Sequence, residues 1–244
     1  MKKIIYLLFL YIVSIGSAHA DNNMMFEKAN QMYRNNDFDS ACNLYRQLIN
    51  DGYTSPVVYY NCGNSFYKKN QIGYAIWCYE KAIQLQSKID YKDNLFLAQK
   101  KIKEPIPTIE DIFFIRWWKS LYSLFSINSW AILGLLAFIA TLLFSFLKKI
   151  KQQQFKTNLS PLFFTISVFA MCMVGVNYYQ QHFNLKGIII KPHTPFFPLS
   201  KTSSRHEIQD GIKVTFKQKT NKGILIKLPN GELGKIAPDA FKAL

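Results

Sequence analysis

Acidic residues are scarce in this chain: fifteen Asp and Glu stand against thirty Lys and Arg in 244 residues. Two stretches, Trp130 to Leu147 and Leu159 to Tyr179, contain no Asp, Glu, Lys, Arg or His. An ion or proton relay through them would need such groups, so none is proposed and transport is demoted. The four cysteines, Cys42, Cys62, Cys78 and Cys172, include no CxxC pair, and the four histidines form no HExxH. Those spacings put two ligands on one metal, so no metal site is expected. A nucleophile elbow, a phosphate-cradling loop and paired carboxylates are also missing, which argues against an enzyme and against a bound cofactor.

The positive charge is unevenly spread. Residues 148–158 carry four lysines and no acid, and residues 180–244 carry eleven Lys and Arg against four acids. Such clusters beside apolar runs point to membrane topology and anionic surfaces rather than to nucleic acid. The N-terminus reads as an export signal over residues 1–20: Lys2-Lys3, an apolar run from Ile4 to Ile15, then Ser17-Ala18-His19-Ala20 with small residues at the cleavage positions. An uncleaved signal anchor is the alternative, against which the short apolar run counts.

A repeat follows, in which Ala29, Asn30, Tyr33, Ala41, Tyr45 and Leu48 recur at one constant offset as Gly63, Asn64, Tyr67, Ala75, Tyr79 and Ala82. This pattern, strongest over Tyr59 to Ile83, resembles the tetratricopeptide repeat, a pair of helices crossing at a small residue. Repeats are expected over about 25–55 and 59–92, within a segment 21–104. Polar turns fall at Asn35-Asn36-Asp37 and Asn70-Gln71. Residues 90–103 form an amphipathic closing helix, which Pro105 and Pro107 end. The resemblance implies a concave face lined by the first helix of each repeat, here Asn30, Tyr33, Arg34, Asn61, Asn64, Tyr67 and Lys68. Amides and cations there would hold a peptide main chain or a carboxylate, while a merely solvated polar surface is the plainer reading. Cys42 and Cys62 fall on helices that can pack together, so either an envelope disulfide or buried small thiols would fit.

Residues 105–127 read as an amphipathic segment at the membrane interface or as a packed connector, with Trp117 and Trp118 on its apolar side and Thr108 and Asp111 placed to cap its start. Residues 128–147 and 159–179 are each long enough to cross a hydrocarbon core of about 30 Å. The lysine-rich loop 148–158 between them is expected in the cytoplasm by the positive-inside rule, which places both large segments outside. Residues 186–244 then change character. Gly187 to Ile190 reads as a strand before a proline-rich stretch, and Ile212, Val214 and Phe216 alternate with polar residues. Ile224, Ile226 and Leu228 lead to a Pro229-Asn230-Gly231 turn. This segment resembles bacterial SH3-like domains over Gly211 to Val214 and Leu228 to Gly234, although the aromatics such domains often carry are replaced here by Gly223 or Ile224 and by Lys235.

The expected fold is therefore a multi-domain membrane protein: an α-helical tetratricopeptide array, two transmembrane helices and a small all-β SH3-like barrel. This order of parts resembles the BatE family of Bacteroidetes aerotolerance operon proteins over essentially the whole chain, most firmly at Asn61 to Ile83, Ile106 to Trp130 and Gly211 to Gly234. The resemblance implies a non-catalytic inner-membrane component, linked to oxygen-stress tolerance or envelope integrity, with von Willebrand A-domain membrane proteins as partners. Two functions compete: a scaffold for other membrane or periplasmic proteins, held in the lipid, and an envelope-binding module whose C-terminal domain recognises wall peptides or peptidoglycan.

Overall fold

The computed structural model describes residues 22–110, 112–150, 159–200, 204–220 and 223–244. The export signal, Asp111, and Lys151 and Lys156 of the basic loop lie outside the described residues. The chain divides into two units, one formed by the chain up to Thr108 together with Lys186–Leu244, the other by Ile109–Leu185.

The first unit begins with five helices: α1 (residues 22–34), α2 (Phe38–Asn50), α3 (Pro56–Lys68), α4 (Ile72–Leu85) and α5 (Ile89–Gln99). The turns joining α1 to α2 and α3 to α4 are alike. Asn36 and Asn70 adopt φ of 60° and 59°, a left-handed conformation that asparagine tolerates better than most residues. The following N–H then returns to the helix, Asp37 to the Met32 carbonyl at 2.9 Å and Gln71 to the Phe66 carbonyl at 3.0 Å. Asp37 also caps α2 by accepting from the Ser40 N–H at 3.1 Å, and Pro56 sits in the first turn of α3, where its missing N–H costs nothing.

Between the helices the repeating positions are buried: Ala29, Ala41, Tyr45 and Leu48 in one pair, Ala75, Tyr79 and Ala82 in the next. Gly63 is small because the partner helix needs the room: a Cβ there would lie 2.6 Å from the Tyr79 ring. Helix α5 closes the array less completely than its pattern suggests. Tyr91 and Ala98 are buried, whereas Phe96 and Leu97 are exposed. Of the three buried thiols, Cys62 on α3 finds its sulfur neighbour in Cys78 on α4, at 3.3 Å, rather than in Cys42.

Seven antiparallel strands complete this unit: β1 (Lys186–Ile189), β2 (Thr194–Pro198), β3 (His206–Ile208), β4 (Lys213–Thr220), β5 (Gly223–Lys227), β6 (Leu233–Ile236) and β7 (Phe241–Ala243), in the order β3-β2-β6-β5-β4-β1-β7. The β5–β6 turn at Pro229-Asn230-Gly231 is the hairpin the sequence indicated. The proline-rich stretch, in contrast, is strand β2. It pairs with β3 over Thr194, Pro195 and Phe196 and with β6 over Phe197 and Pro198.

The sheet is docked on the helices. In β1, Ile188 packs into the helical core and Ile189 into the core of the sheet, with Phe196, Val214, Ile226 and Ile236. Adjacent residues of a strand face opposite ways, so a strand covered on both faces reads as an unbroken apolar run. Gly73 lets the α4 backbone meet this strand, since a Cβ would lie 2.6 Å from the Ile189 carbonyl oxygen. Its N–H donates to Asp210 at 2.7 Å, and Trp77 Nε1–H donates to the Ala243 carbonyl at 2.7 Å. Lys213 pairs with Glu80 at 2.8 Å, and the Lys242 ammonium lies 3.9 Å from the Trp77 ring centre. Burial pulls the Lys242 pKa below that of an ordinary lysine.

The second unit consists of α6 (Phe113–Ser123), α7 (Ile127–Ile150) and α8 (Ser160–Phe183). Helix α6 starts later than its sequence pattern suggests. Ile112 is its N-cap and makes no side-chain capping bond, and the run 105–110, which contains Pro105 and Pro107 and the β-branched Ile106, Thr108 and Ile109, stays non-helical. The antiparallel pair α7 and α8 is long and apolar enough to cross a membrane, with 23 residues in each candidate span. Only 17% of the most apolar window of each helix is buried, which separates them from the core helices of a soluble protein. They meet over small residues, with Ala137, Ala170 and Ser167 buried and the Ser167 hydroxyl donating to the Gly134 carbonyl at 3.0 Å. At one end Trp130 Nε1 and Asn177 Nδ2 both donate to the Tyr122 carbonyl, at 3.1 and 2.9 Å, tying α6 to the pair.

Candidate functional site

Helices α1, α3 and α5 carry two adjoining clefts. One, of about 400 Å³, is lined by Asn30, Tyr33, Arg34, Asn61 and Asn64 together with Phe26, Tyr45 and Val57. The other, of about 320 Å³, is lined by Tyr33, Asn64, Tyr67 and Lys68 with Tyr60, Tyr79, Asn94 and Leu97. Tyr33 and Asn64 belong to both clefts, so the seven residues singled out from the repeat lie along one groove.

A ladder of amides and phenols runs along its floor. Tyr45 donates its hydroxyl to Asn30 Oδ1 at 2.6 Å, and Tyr79, its counterpart in the next repeat, donates to Asn64 Oδ1 at 2.8 Å. Each of these oxygens takes a second donor from the next helix, Asn61 Nδ2 at 3.0 Å for Asn30 and Asn94 Nδ2 at 2.9 Å for Asn64. Asn94 Nδ2 also lies 2.9 Å from the Tyr60 hydroxyl. The repeat thus holds its own neighbours together with one bond pattern used twice, the net worth of each bond being about 1 kcal/mol. Occupied on the oxygen side, Asn30 and Asn64 have their Nδ2 groups left without a partner among the described residues.

The phenols stay protonated. Burial pushes the Tyr45 and Tyr79 pKa values well above that of an ordinary tyrosine, and Tyr33 is raised by burial and by its neighbour Tyr60. Arg34 and Lys68, also equivalent positions of the two repeats, stand exposed at the C-terminal ends of α1 and α3, and neither has an acidic partner among the described residues. No carboxylate lines either cleft. The groove therefore offers hydrogen-bond donors, aromatic faces and positive charge, a set that suits carbonyl and carboxylate oxygens.

Sequence reasoning missed Asn94, which closes the ladder from α5, because it falls one position short of the repeat offset counted from Asn61. Asn61, expected on the groove, lines the first cleft and also joins α3 to α1 through its amide.

The fold defines a helical-repeat array joined to an antiparallel sheet, in a chain that also has two helices of membrane-spanning length. No family model and no curated protein matches it.

Proposed function

We propose that this chain is a membrane-anchored scaffold of a bacterial envelope, gripping an extended segment of a partner protein in the groove of α1, α3 and α5. The observation that carries this reading is the groove itself: fixed amides along its floor, and, among the described residues, Nδ2 donors with no protein partner and two cations without acids beside them. An extended peptide offers carbonyl groups in a row, and a C-terminal or side-chain carboxylate would lie against Arg34 and Lys68. The tetratricopeptide-like period supports the same reading. BatE-like membership would make the partner a von Willebrand A-domain membrane protein and tie the complex to oxygen tolerance.

The α7–α8 pair is the anchor, its large side chains turned to lipid. The segments before and after it belong to one unit, so they share one side of the membrane; the lysines that end α7 favour the cytoplasm for the opposite side. The SH3-like sheet is a second candidate for ligand binding, towards wall peptides. Its β1 strand is spent against α4, which makes support of the array its more direct role.

The test is crosslinking and pull-down of the full-length chain from membranes, beside an Arg34→Glu, Lys68→Glu variant. Both side chains are exposed, so the variant should keep its helicity, unlike changes at Asn64 that would orphan the Tyr79 hydroxyl. Loss of the copurifying partner with retained helicity is the expected result. A partner that stays bound rejects the groove, and retention on isolated wall material without any partner turns the reading to the sheet.

A further inference from the structure

Two thiols in the middle of the second helix pair have no part in the groove or the anchor. Cys62 on α3 and Cys78 on α4 are both fully buried, 16 residues apart in sequence, with the Cys78 thiol donating to the Cys62 sulfur at 3.3 Å. The close approach is built in. Gly63, next to Cys62, leaves no room for even a methyl group against Tyr79, next to Cys78, and Tyr59 meets Trp77 edge-on at 5.7 Å one turn away. A disulfide would shorten the sulfur separation to about 2.05 Å, a movement of about 1.2 Å that small side-chain rotations can supply. Cys42, in the first pair, is also buried, and burial raises its thiol to about 12; Cys172, on α8, is exposed.

We propose that Cys62 and Cys78 are a cross-linking site, joined as an intramolecular disulfide that locks α3 to α4 beneath the groove. The inference rests on the outward placement of this unit, because disulfides persist in oxidising compartments. The oxidant is a disulfide, either of a thiol oxidase or of a small molecule. One cysteine thiolate attacks it and releases one thiol of the oxidant. The second cysteine attacks the mixed disulfide at the protein sulfur and releases the other thiol. Two electrons and two protons leave the pair, and the oxidant is reduced to two thiols. Neither cysteine can be reached in the closed helix pair, so the exchange precedes closure, while the exported chain folds. Burial, which raises the Cys62 thiol far above an ordinary one, then shields the finished bond from exchange.

The full-length chain is extracted from membranes, denatured in alkylating reagent without reductant, and mapped by mass spectrometry. A parallel sample is unfolded and refolded in oxidised and reduced glutathione. The expected result is two alkylated cysteines of the four, Cys42 and Cys172, with the Cys62 and Cys78 peptides linked in both samples. Unfolding and refolding in reductant should lower the thermal midpoint of the chain by several degrees and leave that of a Cys62→Ala, Cys78→Ala variant unmoved. A link that forms only on refolding in glutathione upholds the pair and overturns the outward placement. Four alkylated cysteines in both samples, or a Cys42–Cys62 link, overturn the pair itself.

Discussion

The array and the α7–α8 hairpin are both built from antiparallel helices, yet they are packed inside out relative to each other. In the array the large side chains Tyr45, Leu48, Ile76 and Tyr79 are fully buried, although Phe96 and Leu97 of the closing helix stay exposed. In the hairpin Leu135, Leu136, Leu142 and Phe146 are exposed, while Ala137, Ala170 and Ser167 are buried in the contact, with Trp130 and Met173 the large side chains buried beside them. Water expels apolar surface, so a helix pair in water hides its largest side chains. Lipid tails are as apolar as leucine and expel nothing, so helices there meet through small residues, dispersion contacts and hydrogen bonds such as Ser167 to Gly134. The two arrangements in one chain are those expected if the proposed anchor holds, with one helix pair in water and the other in lipid.

Breaking the array from inside gives the largest expected effect. Tyr79→Ala removes a buried ring, leaves a cavity between α3 and α4 and frees Asn64 from one donor. It should cost about 3–5 kcal/mol, read as a fall in the thermal midpoint of the first unit. A loss below about 1 kcal/mol would show that the ring is not a core element. Second comes Leu135→Arg on the outer face of α7. In lipid it should oppose insertion by about 3 kcal/mol and lower the membrane-integrated fraction in a translocation assay. Unchanged integration would mean that this face meets water, and the contrast between the two units would fail.

The smallest effect is acid sensitivity confined to the first unit. Hydrogen bonds from Ser40 to Asp37 and from Lys191 to Asp239 hold both carboxyls below the usual carboxylate range. A depressed folded value means stability that is complete above the ordinary carboxylate pKa of about 3.9 and fades as pH falls through the lower folded values. Both groups are solvent-exposed, so the change should be slight. The thermal midpoint of the first unit should slip as pH drops below about 4, while the helicity of α7 and α8, whose apolar runs hold no carboxylate, stays constant. Parallel loss in both units would contradict the assignment.

What was legible from the sequence was what a local pattern encodes. The repeat period located the helix pairs and both asparagine turns, because left-handed turn residues and small crossing residues are required at fixed offsets. The charge-free runs announced α7 and α8, since a hydrocarbon core sets both length and composition. Alternation announced β4 and β5. The groove residues Asn30, Arg34, Asn64 and Lys68 were found in the same way, by their repeat positions.

What the tertiary structure decided joins segments far apart in the chain. Gly187 to Ile190 is apolar throughout because its strand is buried by α4 on one face and by its own sheet on the other, and no local rule names a partner helix that lies on the far side of the α7–α8 hairpin in sequence. The bonds from Asn61 and Asn94 to the preceding helices, and the meeting of Cys62 with Cys78 rather than with Cys42, depend on helix rotations and crossings of a few ångströms. Periodicity fixes which side of a helix is buried; only packing against a particular neighbour fixes which atoms on that side touch.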